Sequence, residues 1–77
     1  MPKPRSYYYL IDGLSPEKGV MIQRAMGMVP DVHAVVVSVT HGVVEVRSLQ
    51  NPATQVKMAC EITGITFRMQ IKRRHLA

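Results

Sequence analysis

The sequence predicts an α+β domain with a ferredoxin-like βαββαβ order: one four-stranded antiparallel sheet with two helices on one face. Three observations predict it. The stretch VHAVVVSVTHGVVEVR, Val32 to Arg47, sets two β-branched runs around Thr40-His41-Gly42 and reads as a hairpin. A helix-like segment that opens near a proline lies on either side of this hairpin, at Pro16 and at Pro52. A β-rich run lies beyond each helix, towards either end of the chain. Each βαβ half is expected to cross over right-handed.

In chain order, Met1–Ser6 holds two prolines and two cations and is expected to be a loose lead-in. SYYYLI, Ser6–Ile11, is the first strand, with Tyr7, Tyr9 and Ile11 facing the helices and Tyr8 and Leu10 facing away. After a turn at Asp12-Gly13, Ser15 is placed at the N-cap and Pro16 at the first helical position, with Glu17 favourable at the positive end of the helix dipole. The apolar stripe of this helix is read as Val20, Met21, Ala25, Met28 and Val29, widened by Ile22 and Met26. Gly19 and Gly27 are expected to weaken it, by up to ~1 kcal/mol each, and Pro30-Asp31 to end it.

In the hairpin, Val35, Val37 and Val39 share a face, as do Val44 and Val46, while Gly42 is free to take positive φ. The second helix is capped by Asn51, started by Pro52 and stopped by Gly64, with Val56, Ala59, Cys60 and Thr63 on its buried stripe. In the last strand Ile65, Phe67, Met69 and Ile71 are expected to alternate inward, with Thr66, Arg68, Gln70 and Lys72 outward.

Seventy-seven residues form a single domain, residues 1–77, with an ordered core of about 7–72. At 47% hydrophobic residues, the chain has enough apolar surface for a packed core. Stability of roughly 4–12 kcal/mol follows from typical per-residue values. The single cysteine, Cys60, permits no internal disulfide and no thiolate pair. With no signal-peptide pattern, this favours a reducing, cytoplasmic setting. The apolar runs are too short to insert into a membrane. A net charge of +5, gathered at Lys3, Arg5, Arg68, Lys72, Arg73 and Arg74, is read as solvated ends and also keeps nucleic acid open as a partner.

The element order, the length, the V-x-x-V-V-V…G-V-V-E-V pattern and the late glycine resemble heavy-metal-associated domains over about Tyr9–Ile71. These are the copper chaperones, mercury-binding proteins and amino-terminal domains of metal-pumping ATPases. The resemblance implies metal transport, and it implies a G-M-x-C-x-x-C motif between the first strand and helix. Here that run is Gly13, Leu14, Ser15, Pro16, Glu17, Lys18 and Gly19. Gly13 matches the turn glycine and Leu14 the apolar plug. Pro16 and Gly19 stand at the cysteine positions, or Ser15 and Lys18 if the register shifts by one. Neither register supplies sulfur. Soft ions need thiolates, and Lys18 adds positive charge, so no copper(I) or mercury site is expected at this loop and no cofactor elsewhere.

The other candidate ligands are scattered. Cys60 is read as a small core hydrophobe. Met21, Met26, Met28, Met58 and Met69 are read mainly as packing residues, with Met28 and Met58 the least well placed for it. His33 and His41 lie roughly 25 Å apart along a strand rising ~3.3 Å per residue, and His75 sits in the tail. The acidic residues Asp12, Glu17, Asp31, Glu45 and Glu61 form no acid–base pair with a neighbouring base, and no nucleophile or phosphate-loop motif is present, so no enzyme is expected.

The sheet face away from the helices should carry Tyr8, Leu10, Val36, Ser38, Val43, Glu45, Arg47, Arg68 and Gln70. Of these, Tyr8, Leu10, Val36, Val43, Arg47 and Arg68 form the expected contact surface, because mixed aromatic, aliphatic and arginine surfaces suit protein contacts. The expected role is therefore a non-enzymatic interaction or regulatory module, binding a protein partner or a second copy through this face. A metal site with ligands other than cysteine is the first alternative and nucleic-acid binding the second. The third strand, VVEV, offers no aromatic for base stacking and carries a negative charge, which argues against RNA on this face.

Overall fold

The computed structural model describes residues 3–72. Six elements follow one another: β1 Arg5–Asp12, α1 Pro16–Gly27, β2 Val32–Ser38, β3 Val43–Ser48, α2 Ala53–Thr63 and β4 Thr66–Ile71. The strands form one antiparallel sheet in the order β2-β3-β1-β4, so β3 and β1 are central. Tyr9, Ile11, Val44 and Val46 from the sheet join Ile22 and Met26 of α1 and Val56, Ala59 and Cys60 of α2 in one buried cluster. Both helices therefore cover the same sheet face. No described helix is long and apolar enough to cross a membrane.

β1 begins at Arg5, inside the expected lead-in, because Arg5 and Ser6 pair with Ser48 and Arg47 of β3. The cations at Arg73 and Arg74, and His75, lie outside the described residues. Ser15 caps α1 as expected: its Oγ accepts from the Lys18 amide at 3.2 Å. The helix ends at Gly27, three residues before Pro30, with Met28 as its cap.

The expected α1 stripe holds at Ile22, Ala25, Met26 and Val29, which are buried in or packed against the core, and fails at Val20, Met21 and Met28. Gly19, Ile22 and Met26 are the buried residues, while Val20 and Met21 are half-exposed and Met28 is 85% exposed. So many of its residues are apolar that period alone does not fix the face. Gly19 fixes it, because a Cβ there would stand 2.9 Å from Val37 Cγ1. Gly19 is thus the residue that lets α1 lie directly on β2.

α2 begins at Ala53, one residue after the expected start. Pro52, not Asn51, takes the N-cap position and has no side-chain cap bond, but Asn51 Oδ1, one residue earlier, accepts from the Ala53 amide at 3.1 Å. The same oxygen accepts from the Tyr9 hydroxyl at 2.9 Å, and Asn51 Nδ2 donates to Gln70 Oε1 at 3.1 Å. One asparagine thereby ties β1, α2 and β4 together. Val56, Ala59, Cys60 and Thr63 are all buried, and the Thr63 hydroxyl donates back to the Ala59 carbonyl. Gly64 ends the helix.

The hairpin closes through Gly42, at φ 67°, whose carbonyl accepts from the Ile11 amide at 2.7 Å. Val39 has left the strand for this turn. β4 departs from simple alternation. Leu10 pairs with Met69 but Ile11 pairs with Phe67, so Arg68 is an extra residue, a β-bulge. The expected facing of the strand's second half is therefore reversed. Phe67 stays inward, 5.6 Å from the Tyr9 ring. Met69 and Ile71 lie opposite Leu10 and Tyr8 on the open face, and Gln70 turns to the helix side to meet Asn51.

Candidate functional site

The loop between β1 and α1 is built for helix capping. Leu14 is half-buried against the core. The Ser15 backbone is extended, at φ −135° and ψ 166°, which aims its hydroxyl at the Lys18 amide, while its carbonyl accepts from Gly19 at 2.7 Å. Pro16 is exposed and offers no side-chain donor, and Glu17 points to solvent in the first turn. Gly19 is buried beneath Val37.

Lys18 is half-buried and reaches across the end of the molecule. Its Nζ lies 3.9 Å from where a Cβ on Gly64 would stand, over the end of α2. That helix has no basic residue in its own last turn. The Lys18 ammonium supplies the missing cation beside the negative end of the α2 dipole. The sequence placed a positive charge in the loop, but only the fold shows what it faces.

The chemistry of this set does not fit a soft ion. It holds one hydroxyl engaged in a cap, one ammonium, one exposed carboxylate, an imino acid and a bare backbone. Among the described residues, no three His, Cys, Asp or Glu side chains stand close enough to hold a metal. His33 and His41 are exposed, and His41 Nδ1 lies 2.9 Å from Ser38 Oγ in a local hydrogen bond. Cys60 is a buried free thiol, and burial pushes it up from its ordinary value, towards the neutral form. Asp12 pairs with Arg68 at 3.2 Å, both well exposed.

The methionines correct the packing expectation. Met26 is buried, but Met21, Met28, Met58 and Met69 are all exposed. They lie on the outer sides of the helices and on the open sheet face.

That open face carries Tyr8 and Leu10 from β1, Val36 from β2 and Met69 and Ile71 from β4, with Glu45 of β3 set between Tyr8 and Val36 and with Ser6 and Arg47 at one end. Val36 is 55% and Met69 53% exposed, with Tyr8, Leu10 and Ile71 partly so. Val43 sits on this face between Leu10 and Ser38, but at 2% exposure it forms the floor and offers no contact area. Arg68 is the bulged residue and turns to Asp12. Sequence alternation missed Met69 and Ile71, because nothing in TFRMQI marks the extra residue.

A shallow hollow of about 320 Å³ opens between α2 and β4, lined by Lys57, Cys60, Glu61, Ile65, Thr66 and Phe67. Lys57 lies 5.3 Å from the Phe67 ring centre, a cation–π contact that covers part of this wall.

By sequence the chain matches no protein-family model and no curated protein. By structure it is similar to the N-terminal domain of ZntA, solved in its apo form. The TM-score is 0.77 at 18% identity, covering 84% of this chain and 90% of that one. It is similar also to the N-terminal domain of PacS from Synechocystis PCC6803, with a TM-score of 0.72 at 20% identity, covering 88% of this chain and 98% of that one. The fold is that of a heavy-metal-associated domain. On this heavy-metal-associated fold, the segment from Gly13 to Gly19 carries no cysteine, and the chain's one thiol, Cys60, is buried in α2.

Proposed function

We propose that this chain is a non-enzymatic heavy-metal-associated domain without a thiol metal grip, acting as an interaction or regulatory module in metal transport. The observation that carries the reading is the use of the first loop. Ser15 is committed to the helix cap, Lys18 sets an ammonium over the end of α2, and Gly19 has no room for a side chain. The loop thus serves the stability of the fold. The surface left for recognition is the open sheet face around Tyr8, Leu10, Val36, Met69 and Ile71, a largely apolar surface with Glu45 set between Tyr8 and Val36 and Arg47 at one end. The likeness to N-terminal domains of larger proteins supports a module that works beside a transporter.

The test is a titration of the chain with copper(I), zinc and cobalt, followed by amide NMR. No localised shift is expected at Ser15–Gly19 at micromolar metal. Stoichiometric shifts confined to that loop would overturn the reading. Installing sulfur asks the same question in reverse. The cap places Ser15 beside Lys18, so Ser15→Cys with Lys18→Cys should create a copper(I) site. Pro16→Cys with Gly19→Cys should not, because the Cβ of the second cysteine would stand 2.9 Å from Val37 Cγ1.

A further inference from the structure

We propose that a second copy of this chain docks along the free edge of β2, pairing β2 with β2 antiparallel so that the two sheets become one and the two α1 helices lie side by side. The sheet order leaves two edges, β2 and β4. They are treated differently. The β4 edge carries a bulge at Arg68 and is followed at once by Lys72. Bulges and cations are the usual means of blocking strand addition. The β2 edge, VHAVVVS, has no charge and no proline. Its own bulge, at His33, disturbs only the first residues, and Ala34–Ser38 pair regularly with β3.

The outward backbone of β2 is weakly occupied. The Val35 carbonyl accepts from the exposed Gln23 side chain at 3.4 Å, long enough to be exchanged for a strand amide. In an antiparallel ladder alternate residues turn their backbone outward, so Val35 and Val37 present the groups that an incoming strand would meet.

The flank of α1 agrees with this. Gly19 seats the helix against Val37, so the residues next to that line run beside the β2 edge. At helical spacing these are Pro16, Val20, Gln23 and Gly27, none of them charged. Val20 is 47% exposed, and a Cβ on Gly27 would meet open space.

Charge selects the occupant. Two copies each carrying +5 repel wherever cations face one another. A two-fold contact sets the same patch of both copies face to face, residue i against residue j and j against i. At the β4 edge it would gather Arg68 and Lys72 with their copies. At the β2 edge it gathers valines, alanine and glutamine. Because β4 is blocked, the pairing closes as a dimer and does not propagate as a filament.

The experiment is sedimentation equilibrium on the full chain, in a concentration series reaching about 1 mM, the weak end of the affinity scale. Amide exchange at Val35 and Val37 is followed in parallel. The expected result is a mass rising towards twice the monomer, with protection at both amides growing with concentration. Val20→Arg and Gln23→Arg should each weaken the dimer at least ~10-fold, a change of about 1.4 kcal/mol, while circular dichroism shows the fold intact. Met69→Glu, on the open sheet face, should leave the dimer unchanged. A monomer throughout would overturn the proposal. So would a dimer indifferent to Val20→Arg and Gln23→Arg, or one lost with Met69→Glu. Protection of these amides only on adding an extended peptide would replace the second copy with another chain. None of these readouts depends on metal, so the reading of the first loop stands or falls separately.

Discussion

Gly19 and Gly27 lie in one helix and look alike in the sequence, yet their surroundings are opposite. A methyl group at Gly19 meets Val37 at 2.9 Å, whereas one at Gly27 meets nothing. Gly19→Ala should destabilise by about 1–3 kcal/mol, the range for overpacking, in spite of its better helix propensity. Gly27→Ala should be neutral or stabilising by up to ~1 kcal/mol. Urea unfolding measures both, and Val37→Ala should rescue part of the Gly19→Ala loss. Tyr9 gives a second test. Burial, helped by the neighbouring Tyr7, holds its phenol well above the ordinary range in the folded state. In the unfolded chain it ionises near pH ~10. The folded form therefore keeps the proton that the unfolded form gives up. Stability is full below pH ~10 and falls above it, by at most ~1.4 kcal/mol per pH unit from this group. Tyr9→Phe should flatten that alkaline fall in a denaturation series, at a cost of about 0.5–1.5 kcal/mol for the lost bond to Asn51.

At the scale of elements, the order and kind of all six were legible, because each rests on a local cause. β-Branched runs mark the hairpin, prolines mark the helix starts and Gly64 marks a helix end. What was not legible depends on partners distant in sequence. The face of α1 is decided by Val37, and the facing of Met69 and Ile71 by an extra residue that appears only when β4 is laid against β1. The loop was legible as a segment without thiols, but the target of Lys18 was not, since Gly64 is far along the chain. The bulge makes a sharp prediction. Regular alternation would give Phe67 and Met69 similar surroundings. With the bulge, Phe67→Ala should cost roughly 2–4 kcal/mol as a core-facing ring, while Met69→Glu should stay within ~0.5 kcal/mol. Equal costs in thermal or urea unfolding would place both residues on one face.

At the scale of the whole molecule, three surfaces have distinct characters. The helix layer carries scattered methionines, the β2 edge is neutral, and the open sheet face is largely apolar with one carboxylate, Glu45, inside it. A net charge of +5 keeps copies apart except where neutral surfaces meet. The ammonium of Lys18 joins two ends of the fold, the start of α1 and the end of α2. Lys18→Met should lower stability by about 0.3–1 kcal/mol at low ionic strength, and the loss should shrink as salt is added. This cation is attached to the chain by its own methylenes. No chelator can strip it and no shortage of ions can empty it, so this corner of the protein should keep its order in starved and in replete cells alike.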